Sequence, residues 1–157
     1  MPSETNKPAD PQSPETSIPS ELWTIGHSTR PIDEFIGLLL THGIRMLVDV
    51  RTIPYSRHNP QFHSEALAKS LANSAIQYRH ILALGGRRKS RSDSVNVGWR
   101  NKGFRGYADY MQAQEFWDAL EDLVEIGHRL PVAIMCAEAL PWRCHRSLIS
   151  DALVSRG

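Results

Sequence analysis

At 157 residues, with 41% hydrophobic and 22% charged side chains, the chain has the length and composition of one globular domain, able to bury roughly two-thirds of the surface its unfolded form exposes. No apolar run approaches the ~20 residues of a membrane span, and the N-terminus lacks the charged-then-apolar pattern of a signal peptide; a cytoplasmic location is expected, with Cys136 and Cys144 reduced. The net charge of +1 conceals an asymmetry: residues 45–105 carry twelve Lys or Arg against Asp49, Glu65 and Asp93, whereas residues 106–128 carry six acids and no Lys or Arg. That polarity favours an anionic partner.

Residues 1–20 hold five of the ten prolines; with Glu21 they are expected to form a disordered tail ahead of an α/β domain over 22–157. Leu22–Ile25 reads as a strand, followed by a turn at Gly26-His27-Ser28. Ser28 or Thr29 is placed to cap a helix with Pro31 in its first turn, Asp33 and Glu34 near its positive end, an apolar set at Ile32, Phe35, Ile36, Leu39 and Leu40, and a stop at Gly43. Met46–Val50 is an apolar run broken only by Asp49, as in a buried parallel strand. Ser64 is placed to cap a second helix, and Ile76–His80 reads as a third strand. A polar stretch runs from Gly85 to about Gly103, and helical periodicity covers 106–127 with a break near Ala113. A strand at 132–136 and a helix at 144–155 close the chain.

Strand–helix order repeated four times predicts a three-layer α/β sandwich: a mainly parallel sheet of about four or five strands with helices on both faces. Right-handed crossovers bring all strand C-termini to one edge, where open α/β sheets bind their ligands. The polar residues fall there. His27 and Ser28 follow the first strand, Asp49 and Arg51 flank the end of the second, His80 ends the third, and Cys136 and Glu138 follow the fourth. Arg143-Cys144-His145-Arg146 then leads into the last helix, whose N-terminus favours anions.

Two chemistries compete for this edge. Glu138 or Asp49 can act as nucleophile or general base, assisted by His27 or His145, in a hydrolase or transferase. Alternatively Cys136 or Cys144 is a thiolate whose pKa is lowered by Arg146, His145 and the helix N-terminus. This second reading is similar to rhodaneses and cysteine phosphatases, but from Cys136 the arginines come at 143 and 146, beyond the shorter spacing those loops use. The candidate catalytic residues are therefore Glu138, Asp49, His27, Cys136 and His145. Ser28, Arg51, Arg57 and His80 are candidate ligand contacts, as are Arg87, Arg88, Cys144 and Arg146. Cys136, Cys144, His145 and His27 are legitimate metal-ligand types, but without a CxxC-type pair no metal is assigned, and no cofactor is expected.

Residues 85–107 interleave seven basic side chains with Trp99, Phe104 and Tyr107. Bases stack on aromatics while Lys and Arg hold phosphates, so a nucleotide or nucleic acid is the expected ligand. The same stretch also fits a solvated long loop whose aromatics fold back onto the core. A further alternative is a non-catalytic nucleic-acid binder that leans on this basic stretch. Nothing in the sequence sets the oligomeric state.

Five ordered motifs carry a family resemblance: Thr24-Ile25-Gly26-His27-Ser28, Val48-Asp49-Val50-Arg51, Leu84-Gly85-Gly86, Phe104-Arg105-Gly106-Tyr107-Ala108, and Cys136-Ala137-Glu138 with Cys144-His145-Arg146. Together they resemble the domain of unknown function 488 family over about residues 22–156. The resemblance implies a cytosolic α/β domain and supplies no reaction, so every residue role above rests on the residues themselves.

Overall fold

The computed structural model describes residues 21–140 and 143–156; apart from Glu21, the tail expected over 1–21 lies outside them. The elements follow in the order β1 (Trp23–Gly26), α1 (Ile32–Thr41), β2 (Met46–Asp49), α2 (Ser64–Ala72), β3 (Gln77–His80), α3 (Lys102–Tyr110), α4 (Gln114–Arg129), β4 (Val132–Cys136) and α5 (Arg146–Arg156). All four strands are parallel, in the order β1-β4-β2-β3. The late strand β4 sits between β1 and β2. Every residue of β4 is buried, which is why it reads as Val-Ala-Ile-Met-Cys with no polar alternation.

The side-chain period of two divides the core. Val48, Val50, Ile134 and Cys136 pack with Phe116, Leu120 and Leu123 of α4 and Leu148 and Ile149 of α5. Leu47, Ala133 and Met135 pack on the opposite face with Phe35 and Leu39 of α1 and Leu67 and Leu71 of α2. Phe116, Leu120 and Leu123 are fully buried, each worth about 1.5–3 kcal/mol of burial. By the same parity Asp49 shares the α1/α2 face with Leu47, and Cys136 shares the α4/α5 face with Ile134.

Helix boundaries depart from expectation where local contacts outweigh propensity. Neither Ser28 nor Thr29 caps α1; Pro31 holds the cap position without a side-chain bond. Ser28 instead makes a left-handed turn, φ 48°, with its N–H on the Ala137 carbonyl. Ser64 is the first residue of α2 and His63 occupies the cap position. Gly43, at φ 67°, ends α1 as expected. The periodic stretch over 106–127 divides into α3 and α4 between Tyr110 and Gln114, at the expected break. α3 starts earlier than its periodicity suggests because Asn101 Oδ1 accepts the N–H groups of Gly103 and Phe104.

The register aligns Gly26 with Cys136, Asp49 with Met135, and Asp49 with His80. All four strand ends are therefore flush at one edge, and Gly26 is needed there because a Cβ would collide with the Glu138 carbonyl.

Candidate functional site

A pocket of about 540 Å³ opens at that edge. The segment after β2 contributes Arg51, Thr52, Ile53, Tyr55 and Arg57; the segment after β3 contributes Gly86 and Arg87. Asn101, Gly103 and Phe104 come from the start of α3, and Cys136, Ala137, Glu138, Arg143, Cys144 and His145 from the turn between β4 and α5. The chain leaves β2 toward one face of the sheet and β4 toward the other, the circumstance that opens a crevice between neighbouring strands.

The floor on the β2 side is a buried ion pair. Asp49 is fully buried and Arg51 is 6% exposed. Arg51 donates from Nε to both carboxylate oxygens at 2.9 and 3.1 Å and from a terminal nitrogen to Oδ2 at 2.6 Å. The Arg51 backbone N–H adds a bond to Oδ1 at 3.0 Å, and Tyr78 donates its hydroxyl to Oδ2 at 2.6 Å. Burial and the adjacent Asp49 charge push the Tyr78 hydroxyl pKa up, keeping it a donor. His80 Nε2 holds the Arg51 carbonyl at 2.6 Å. His27 stacks on Phe62, its Nε2 3.5 Å from an Arg51 terminal nitrogen. Its pKa is lowered, first by burial and then by the Arg51 charge, against a raising bond to the Ser28 carbonyl.

The opposite wall carries the thiols. Both cysteines are free and buried. Cys144 Sγ lies 3.3 Å from His145 Nδ1 and accepts the Arg146 backbone N–H at 3.5 Å. His145 Nε2 donates to the Val50 carbonyl at 2.8 Å, which puts the ring proton on Nε2 and turns Nδ1 toward the sulfur as acceptor. The ring lies directly over Gly86, where a Cβ would overlap it. The Cys144 thiol pKa is held far below the ordinary range, chiefly through the neighbouring Cys136 thiol, aided by His145 when it holds the thiol's proton and by the Arg146 N–H, and opposed by burial. The Cys136 thiol is pushed up by the same contact and by burial. Arg146 is 1% exposed and donates to the Glu138 carbonyl at 2.6 Å. Its Nε is the one buried side-chain nitrogen or oxygen without a hydrogen-bond partner among the described residues.

The basic stretch is tied down at one acid. Asp109, one of the six acids over 106–128, is buried. It accepts from the Arg91 N–H, the Ser94 hydroxyl and the Asn96 amide. The Ser94 and Asn96 bonds lead in holding its carboxyl below the usual range. Tyr107 is fully buried and donates to the Leu84 carbonyl, so one expected stacking aromatic belongs to the core. Trp99 is 39% exposed and lies 5.5 Å from the Phe104 ring.

Of the residues anticipated from sequence, Glu138, Cys136, His145, Arg51, Arg57, Arg87 and Cys144 line the pocket. Asp49, His27, Ser28, His80 and Arg146 stand behind its wall and hold those that do. Arg88 lies over the Tyr110 ring, 3.7 Å from its centroid, and donates to the Gly85 and Leu82 carbonyls. Arg143, Tyr55 and Asn101 line the pocket without being among the candidate site residues; Arg143 carried the cue of its place beside Cys144, and Asn101 that of a helix cap. Arg57, Arg87 and Arg143 have no ion-pair partner among the described residues. No group of three or more His, Cys, Asp or Glu side chains among the described residues is placed to hold a metal ion. Nor is any helix among them long and apolar enough to cross a membrane.

The family model described as Domain of unknown function DUF488 matches residues 31–153. The chain belongs to this family. The DUF488 match spans every pocket residue and begins after the Thr24–Ser28 motif. Comparison with curated proteins and with solved structures returned no match.

Proposed function

We propose that the pocket is the active site of an enzyme that uses the Cys144 thiolate on a phosphate-bearing substrate of the nucleotide or nucleic-acid class. The observation that carries this reading is the relay Cys144 Sγ, His145 Nδ1, His145 Nε2, Val50 carbonyl, with contacts of 3.3 and 2.8 Å. It has the arrangement of an activated nucleophile: a thiol, a base within reach, and a third group fixing the base's tautomer. His145 takes the Cys144 proton. The thiolate attacks the electrophilic centre of the substrate, one sulfur bond forms, and the leaving group departs with the proton held by His145. Water, deprotonated by His145, then releases the product and restores the thiol, which is hydrolysis; another nucleophile in place of water makes the reaction a transfer. Arg57, Arg87 and Arg143 suit a phosphate because guanidinium binds oxyanions in a fork. Tyr55, stacked on His63 at 3.9 Å, and Phe104 belong to the same lining, where aromatic rings suit a base. Asp49 is assigned a positioning role, holding Arg51 at the floor.

The carboxylate chemistry retains one supporting observation. Glu138 lines the same pocket, and its Oε1 accepts only the Leu140 N–H at 3.2 Å among the described bonds. The two readings separate on reactivity. Iodoacetamide at about pH 6, where an ordinary thiol is roughly 1% ionised or less, should alkylate the wild type once, at Cys144. Adenosine monophosphate should slow the reaction and adenosine should not. C144S should abolish labelling and E138Q should leave it intact. A wild type inert at that pH, or labelled at Cys136, would refute the thiolate reading.

A further inference from the structure

We infer that Cys136 and Cys144 form a reversible dithiol–disulfide couple, oxidised by a low-molecular-weight disulfide, that switches the pocket's nucleophile off. The inference rests on the thiolate reading of Cys144. Two free thiols line one pocket and belong to one buried cluster, joined through Arg146: its N–H meets Cys144 Sγ at 3.5 Å, and its guanidinium donates to the Glu138 carbonyl that also accepts the Cys136 thiol. They come from the two ends of the turn that joins β4 to α5. Their environments are unequal. Cys144 faces His145 Nδ1, a base, and the Arg146 N–H, a donor, which together favour the thiolate. Cys136 points its thiol at the Glu138 carbonyl, 3.7 Å away, an acceptor that keeps its proton in place. Such a pair divides the labour of exchange: the ionised thiol attacks and the protonated one resolves.

The step balances with glutathione disulfide as oxidant. Cys144 thiolate attacks one sulfur of the oxidant, forms a mixed disulfide and releases one glutathione thiolate, which takes the proton held by His145. Cys136 then gives its proton to His145 and attacks Cys144 Sγ. The intramolecular disulfide forms, and the second glutathione leaves with that proton. The net change is one protein dithiol and one glutathione disulfide giving one protein disulfide and two glutathione thiols. With Cys144 in a disulfide, the pocket has no nucleophile until a dithiol reductant restores it.

The test is intact-mass analysis of the full chain treated with glutathione disulfide, followed by alkylation at about pH 6. The wild type should end two hydrogens lighter with no glutathione attached, lose its low-pH alkylation, and regain it with dithiothreitol. C136S, checked for folding by its thermal melt, should stop at a stable glutathione adduct on Cys144. A wild type that also stops at the adduct, while its untreated form alkylates at low pH, overturns this inference and leaves the thiolate reading standing. A wild type that neither alkylates nor exchanges overturns both. A disulfide linking two chains overturns the couple as well.

Discussion

Replacing Asp49 by Asn tests whether the ion pair beneath the pocket is held as the structure describes. The Asp49 carboxylate receives the Arg51 guanidinium through three contacts of 2.6–3.1 Å, plus the Arg51 N–H and the Tyr78 hydroxyl. Asparagine keeps the shape and one acceptor oxygen. It removes the charge and turns an amide donor toward a guanidinium that can only donate. Arg51, 6% exposed, is then a buried cation without a counter-charge. Breaking a buried pair from one side costs about 3–5 kcal/mol, a large share of the roughly 5–15 kcal/mol that holds a domain folded. With a urea m-value of about 2 kcal/mol per molar, the midpoint should fall by about 2 M. The control is D49L/R51M, which removes both charges; such replacements are often close to neutral. Urea melts followed by circular dichroism measure all three chains. A D49N cost below about 1 kcal/mol, or a double variant as damaged as the single one, would refute the argument that the penalty comes from orphaning Arg51.

Two further outcomes follow from the same geometry. In G86A the new Cβ overlaps the His145 ring, so the ring must leave Cys144. Alkylation at low pH should drop to the level of a variant lacking the base, H145A, with the melting temperature little changed, and a wild-type rate in G86A would sink the relay. His27 contributes one part of the pH dependence. Its folded pKa lies below the ordinary value because burial disfavours the imidazolium. Below about pH 6.5 the unfolded chain therefore binds a proton that the folded chain refuses, and stability falls as pH drops from there toward the lowered folded value. Melts at stepped pH should show a shallower decline in H27Q, and parallel curves would contradict the assignment.

Much of the architecture was legible because it is local. A short apolar run followed by an amphipathic helix, four times over, admits a parallel sheet and little else. The placement of His27, Asp49, His80 and Cys136 at strand ends then put them on one edge before any contact was known. Local pattern also misled. Ser28 has the chemistry of a helix cap, yet the close approach of β1 to the turn after β4 bends it into a left-handed conformation. Asp109 reads as one acid in an acidic run, but it is the point on which Arg91, Ser94 and Asn96 converge.

Sequence alone determined the element order, the parallel sheet, the edge on which the polar residues gather and the family, since each depends on periodicity and on motifs a few residues long. Tertiary structure decided which of those residues face the pocket. Alternation along β2 says that Asp49 and Val50 point to opposite faces, but not which face the pocket and which the neighbouring helices occupy; that depends on β4 settling between β1 and β2. The contact that orients His145 comes from the Val50 carbonyl, 95 residues earlier in the chain. No local pattern encodes a hydrogen bond across that separation, because it exists only once two distant strands have been brought side by side.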